Sequence, residues 1–209
     1  MENKLIRLKY AILAGVIIWV ALIILGEIQL LRYDYTPHFQ PRSLQKWPLE
    51  SRIKLASEHP TLLMFVHPKC PCSRSSIGEL SRLMTRCQGK LTAYVLFVRP
   101  SILSEQWVKT DLWKNAVRIP GVQVSEDIDG VEVERFHSAT SGHALLYSKQ
   151  GQLLFSGGIT GSRGHFGDND AREAVEMLVE GKITAQSPKI FPVFGCLLKA
   201  KSSIVDTTN

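Results

Sequence analysis

Cysteine is scarce in this chain. Four cysteines among 209 residues cannot staple a disulfide scaffold, so the fold must rest on a buried core. Fifteen glycines and ten prolines exclude collagen-like and low-complexity architectures. No internal repeat is visible. Lysine and arginine outnumber aspartate and glutamate by 25 to 19, for a net charge of +6 and an isoelectric point near 9.2. The basic residues are scattered, however, and no basic stripe interleaved with aromatics occurs, which argues against a nucleic-acid partner.

Long apolar runs are confined to one place. The mean hydropathy of +0.01 is high for a soluble protein, and residues 10–26 (YAILAGVIIWVALIILG) explain much of it, because they carry no charge. Crossing a hydrocarbon core takes roughly 20 helical residues. The run reaches that length if it extends through Glu27 to residue 31, with Glu27 near the headgroups. It is apolar on every side, unlike the helix of a soluble core, which keeps a polar face. No small-residue cleavage pattern follows it, so an uncleaved signal-anchor is expected rather than a removed leader. Lys4, Arg7 and Lys9 precede the run, which places the amino terminus in the cytoplasm and the rest of the chain outside. The expected division is a basic cytoplasmic segment at 1–9, a transmembrane anchor at 10–31, a tether with a short helix at 32–60, a folded domain at 61–198 and a disordered tail at 199–209.

Within the domain, residues 61–66 (TLLMFV) read as a strand buried on both faces. Residues 75–87 have helical apolar spacing at Ile77, Leu80, Met84 and Cys87, and Gly89 stands where a helix stop is expected. Residues 91–98 (LTAYVLFV) read as a second buried strand. Residues 105–117 read as a helix, and 121–134 as an acidic loop with a short strand near 131–133. Two apolar runs around Lys149, Gln150 and Gly151 predict a β-hairpin. Capping-box spacing from Asp170 to Glu173 opens a last helix. The order strand, helix, strand, helix, hairpin, helix predicts an α/β domain with one central mixed sheet flanked by helices, the thioredoxin-like arrangement.

The chemistry concentrates in FVHPKCPCSR, residues 65–74, at the junction of the first strand and first helix. Unpaired N–H groups and the macrodipole at a helix start stabilise an anion there. A thiolate so placed has a lowered pKa and is the better nucleophile. Thioredoxin-like proteins carry C-x-x-C at this junction. Here Ser73 stands at the usual second-cysteine position and Cys72 sits one place early. A Cys70–Cys72 disulfide would close a small ring stiffened by Pro71, and strained disulfides are the more oxidising ones. Proline and charged neighbours are poor company for a core residue, so Cys70 and Cys72 are read as redox or metal-binding. Cys87, on an apolar helix face, reads as a buried inert thiol. Cys196, in PVFGC, is either a resolving thiol or a packing residue.

A glycine-rich stretch, SGGITGSRGHFGDN at 156–169, is long for a strand-to-helix connection. The hairpin returns the chain to the cysteine end of the sheet, so this loop should rim the site. Arg163 and His165 are candidates for anion binding or proton transfer, with a solvated loop histidine as the alternative for His165. Asp168 or Asn169 suits a helix cap. His67 either tunes the thiolate, ligates a metal or simply ends the strand. The fold normally places a cis-proline just before its hairpin, whereas this chain has Ser141, Gly142 and His143.

HPKCPCSRSS, SGGITGSRGHFGDN and PVFGC together resemble the membrane-anchored bacterial thioredoxin-like family often labelled RedB, over nearly the whole chain. Leu197 follows Cys196 where many relatives carry proline. The resemblance implies a thioredoxin-like fold on a bacterial inner membrane with the domain in the periplasm. Three activities compete. The first is thiol–disulfide exchange with protein thiols or disulfides, with Cys70 attacking, Cys72 resolving, and His67, Ser73, Arg163 and His165 in support; it needs no cofactor. The second is a non-enzymatic copper-binding chaperone module, two thiolates with His67, His137 or His165 suiting Cu(I). The third is a thiol peroxidase in which Cys70 is oxidised and Arg163 holds the peroxide.

Overall fold

A computed structural model of the chain describes residues 2–38, 40–184 and 187–198. The tail expected to be disordered, 199–209, lies outside the described residues. The chain divides into two units, one ending at Thr36 and one beginning at Pro37.

The first unit is one helix, α1 (Glu2–Tyr35). Its residues Ile6–Tyr35 have a mean hydropathy of 2.6 in their most apolar window, and none of that window is buried. At about 1.5 Å per residue this stretch exceeds the roughly 30 Å of a hydrocarbon core. A helix that leaves Ile17, Trp19 and Leu22 open on all sides is long and apolar enough to cross a membrane.

The second unit is built on β1 (Thr61–Val66), in which every residue is buried. Side chains alternate faces along a strand. Leu62, Met64 and Val66 therefore enter one apolar cluster, while Leu63 and Phe65 enter another. β2 (Thr92–Arg99) lies parallel to β1 on one side. β4 (His143–Tyr147) lies antiparallel on the other and turns back into β5 (Leu153–Gly157). β3 (Val122–Ile128) and β6 (Lys189–Ile190) form the edges, giving the order β3-β2-β1-β4-β5-β6. α2 (Ser73–Arg86) crosses from β1 to β2, and α5 (Asp170–Val179) follows the hairpin. Both helices feed the first cluster, through Leu80, Leu83, Val175 and Leu178. A parallel β-α-β unit joined to an antiparallel hairpin and a closing helix, in one mixed sheet, is the thioredoxin-like fold.

Three local expectations are corrected. The short helix expected within 32–60 is not found among the described residues: 32–35 close α1, and the described residues from Pro37 to Pro60 belong to the second unit and are not helical. Among the described helices only the five-residue α4 (Val131–Arg135) adds a side chain to the second cluster, so its apolar face needs another cover. Residues 43–55 supply it. Trp47 stands edge-on to Phe136 and Tyr147, with centroids 5.1 and 5.3 Å away. Trp47 N donates to Gly151 O at 2.7 Å, and Tyr147 Oη donates to Leu44 O at 3.0 Å.

The helix expected over 105–117 is interrupted. A 3-10 turn at Glu105–Trp107 is followed by α3 (Asp111–Val117). The break buries Val108 completely and lets Thr110 Oγ1 donate to Pro68 O at 3.0 Å. The acidic stretch 121–134 is not a loop but β3 followed by α4. Its acids are structural. Glu126 pairs with Arg99 at 2.5 Å, and buried Asp127 accepts from the N–H groups of Glu132 and Val133, each at 2.9 Å, at the start of α4.

Candidate thiol site

Cys70 and Cys72 stand where β1 ends and α2 begins. A turn forms at once: Cys70 N donates to His67 O, Ser73 N to Cys70 O and Ser75 N to Cys72 O, at 3.1 to 3.2 Å. Cys72 occupies the residue before the first helical one, and the first turn of α2 holds no acidic residue. Its N–H groups and dipole thus face the sulfurs unopposed. Cys70 is 1% and Cys72 7% exposed, yet neither belongs to an apolar cluster, whereas Cys87 does. Burial pushes the Cys87 thiol up to about 11, which makes it inert at neutral pH.

The cover over Cys70 comes from far along the chain. Residues 191–198 run back across the site, and the sulfur of Cys196 lies 2.9 Å from that of Cys70. Cys196 N lies 3.4 Å from the same sulfur and donates to it. The sulfurs of Cys70, Cys72 and Cys196 all fall within 4.8 Å of one another.

Their ionisation diverges. Burial raises Cys70, but hydrogen bonds from the Cys196 thiol, from Ser73 and from the backbone N–H groups of both outweigh it, so Cys70 ends below the ordinary 9.0. Cys196 is pushed up to about 12 by burial, by its hydrogen bond to Cys70 and by the charge on that sulfur. Cys72 is raised by burial and by the Cys70 charge, partly countered by a hydrogen bond from Arg163. Of the three thiols, only Cys70 is shifted toward the thiolate.

The other sequence candidates separate. Ser73 is fully buried, and its hydroxyl lies 2.7 Å from that of Ser141. Arg163 reaches the site: its guanidinium donates to Gly195 O at 3.0 Å, meets His38 Nδ1 at 3.3 Å and hydrogen-bonds the Cys72 thiol. The glycine-rich loop does rim the cysteine end, with Ser75 Oγ donating to Gly164 O at 2.6 Å. His165 is exposed and packs over Gly161 and Gly167 of its own loop. Asn169 is the cap of α5, accepting from Arg172 N at 2.9 Å. His67 accepts from Lys69 N at 3.2 Å and sets its ring edge-on to Trp107. His137 meets Arg42 O at 3.2 Å. Among the described residues, the ligand group is the three sulfurs, and neither His67, His137 nor His165 joins it.

Two residues were missed by sequence reasoning. Ser141 was noted only as the absence of a proline. It is a hub: its Oγ accepts from His67 N at 2.8 Å and its N–H donates to Cys196 O at 2.8 Å. Gly195 lies so flat on this loop that an added Cβ would stand 1.9 Å from Ser141 O. The glycine preceding Cys196 was the available signal.

No protein-family model matches the chain, and no curated protein matches it. Solved structures do. An uncharacterized conserved protein from Geobacillus kaustophilus aligns with TM-score 0.55 at 17% identity, over 81% of this chain and 96% of that one. A hypothetical protein from Sinorhizobium meliloti 1021 aligns with TM-score 0.55 at 14% identity, over 80% and 96%. An exposed lipoprotein thioredoxin from Streptococcus pneumoniae TIGR4 aligns with TM-score 0.42 at 12% identity, over 60% and 86%. The first two are likenesses of fold.

Proposed function

We propose that this chain is a membrane-anchored thiol–disulfide oxidoreductase whose domain faces the periplasm, with Cys70 as nucleophile and Cys196 as the resolving thiol. The observation that carries the reading is the 2.9 Å approach of the Cys196 sulfur to Cys70 at a helix start. Cys70 as thiolate attacks an external disulfide; a Cys70–substrate bond forms, and the first substrate thiolate leaves and takes a proton from solvent. Cys196 then loses its proton to solvent and attacks the Cys70 sulfur. The Cys70–Cys196 disulfide forms, and the second substrate thiolate departs and takes a proton from solvent. The substrate gains two electrons and the protein loses two; an external dithiol runs the sequence backwards. Cys72, held by Arg163, is the third member of the cluster.

The test is to equilibrate the full chain in glutathione redox buffers and map its cysteines by alkylation and mass spectrometry. A two-electron couple on Cys70 that disappears in Cys70→Ser supports the reading. Cysteines that stay reduced at every ratio overturn it. Alkaline phosphatase fused after residue 198 tests the location, being active only if the domain is exported.

A second reading rests on the three sulfurs within 4.8 Å. Soft thiolates favour Cu(I), so the cluster suits a copper-handling module. Titration of the reduced chain with Cu(I) against a chelator gives one tight equivalent, lost in Cys196→Ser, if this reading holds.

A further inference from the structure

A free backbone edge beside a reactive thiol is where an extended polypeptide would add as a strand, its main chain bonding to the edge. Here the edge is residues 139–141, just before β4. It is already taken. Ser141 N donates to Cys196 O at 2.8 Å, Leu198 N donates to Ala139 O at 2.7 Å, and Thr140 bridges antiparallel to Leu197. The chain's own segment 191–198 satisfies the donors and acceptors a visiting strand would need.

This segment is anchored along its length. Phe191 N donates to Ser156 O at 3.0 Å, and Gly158 N donates to Pro192 O at 3.0 Å. Val193 O accepts from His38 N at 3.1 Å, and Gly195 O accepts from Arg163 at 3.0 Å. Val193, Phe194 and Leu198 are buried. Lifting it would forfeit all of these together. Cys196, by contrast, is only half-buried. Rotating its side chain about Cα–Cβ, an ordinary rotamer change, moves the sulfur that lies 2.9 Å from Cys70 without moving the backbone.

From this we infer that residues 191–198 are a permanent occupant of the peptide-pairing edge, and that the thiol cluster exchanges with small thiols and disulfides rather than with extended polypeptide segments. The inference rests on the exchange reading above and narrows its substrate class.

The experiment uses the reduced full chain in detergent micelles and two probes, glutathione disulfide and insulin. Each rate is divided by that of dithiothreitol with the same probe, which removes intrinsic reactivity. The normalised rate with glutathione disulfide is expected to exceed that with insulin by roughly 100-fold, a steric selectivity of ordinary size. Gly195→Ala places a Cβ against Ser141 O and should raise the insulin rate, narrowing the gap about tenfold, while Cys87 stays unalkylated as the sign of an intact core.

A normalised ratio near one in the wild-type chain overturns the inference. Native hydrogen exchange decides it independently if Gly195→Ala unfolds. The Ser141 and Leu198 amides are expected to be protected like those of Leu145 and Leu146 in β4; near-free exchange at those two positions overturns the closed edge. Loss of reaction with both probes defeats the exchange reading itself, and with it the substrate assignment, while the amides still report on the closed edge.

Discussion

Cys196 approaches Cys70 from 126 residues away and lies 2.9 Å from it, sulfur to sulfur. Cys72, two residues along the same turn, is the neighbour in sequence. A Cys70–Cys72 bond would close a small ring stiffened by Pro71 across the turn bonded from Ser73 N to Cys70 O, and strained disulfides are the more easily reduced. Mild oxidation should therefore cross-link Cys70 to Cys196 in the wild-type chain and equally in Cys72→Ala. Peptide mapping without reduction checks this. A Cys70–Cys72 bond as the dominant product contradicts it.

Ser73 occupies the position that a second cysteine takes in C-x-x-C relatives of this fold. Its hydroxyl and N–H both support the Cys70 thiolate against burial. Ser73→Ala removes one charge-assisted hydrogen bond and should move the alkylation midpoint of Cys70 upward. At neutral pH the modification slows, and the difference closes above the shifted midpoint. A pH series with iodoacetamide, read by mass spectrometry at Cys70, measures it. An unchanged or lower midpoint counts against the assigned donor.

Glu79 and Arg172 tie the site's two long helices together. They pair at 2.7 Å with both side chains buried, and Glu79 also accepts from Gly167 N at 2.8 Å in the glycine-rich loop. Arg172 further pairs with Glu176 and Asp168. Removing Arg172 takes the close partner from the fully buried Glu79 carboxylate, so Arg172→Ala should cost about 3–5 kcal/mol. Arg74 and Asp111 pair at the surface, where screening leaves little to lose, and Arg74→Ala should leave the urea midpoint unchanged. Equal effects from the two substitutions would refute this contrast.

Those predictions use both what the sequence made legible and what it hid. β1, β2, the hairpin, α2 and α5 were readable because each buries a continuous or periodic apolar pattern, and the hairpin alone placed the glycine-rich loop beside the cysteines. β3 was not readable: it is an edge strand, half-exposed, and its acids serve Arg99 and the start of α4 rather than an apolar face. Residues 43–55 carry no periodicity because they cover a sheet face without a helix or a strand. The position of Cys196 depends on backbone pairing with residues 139–141, a non-local contact that leaves no mark in local composition. The small residues Gly195 and Ser141 were its trace.

His143 opens β4 with no exposure, its ring nitrogens held by Ser138 Oγ and Ser156 Oγ, each at 3.0 Å, and by Gln40. Burial depresses its pKa from 6.5 to about 3. The unfolded chain therefore binds a proton below pH 6.5 that the folded chain refuses. The stability this confers is complete above that pH and is lost as the pH falls toward the folded value, at about 1.4 kcal/mol per pH unit for one proton. Asp127 acts oppositely in its own acidic range, because burial raises its carboxyl. The slope is thus best read from pH 6.5 to about 5, above the ordinary carboxylate range. Urea midpoints should fall across that interval in the wild-type chain and flatten in His143→Gln, which keeps polar contacts and takes up no proton. Parallel slopes in the two chains would show that another group carries the acid sensitivity.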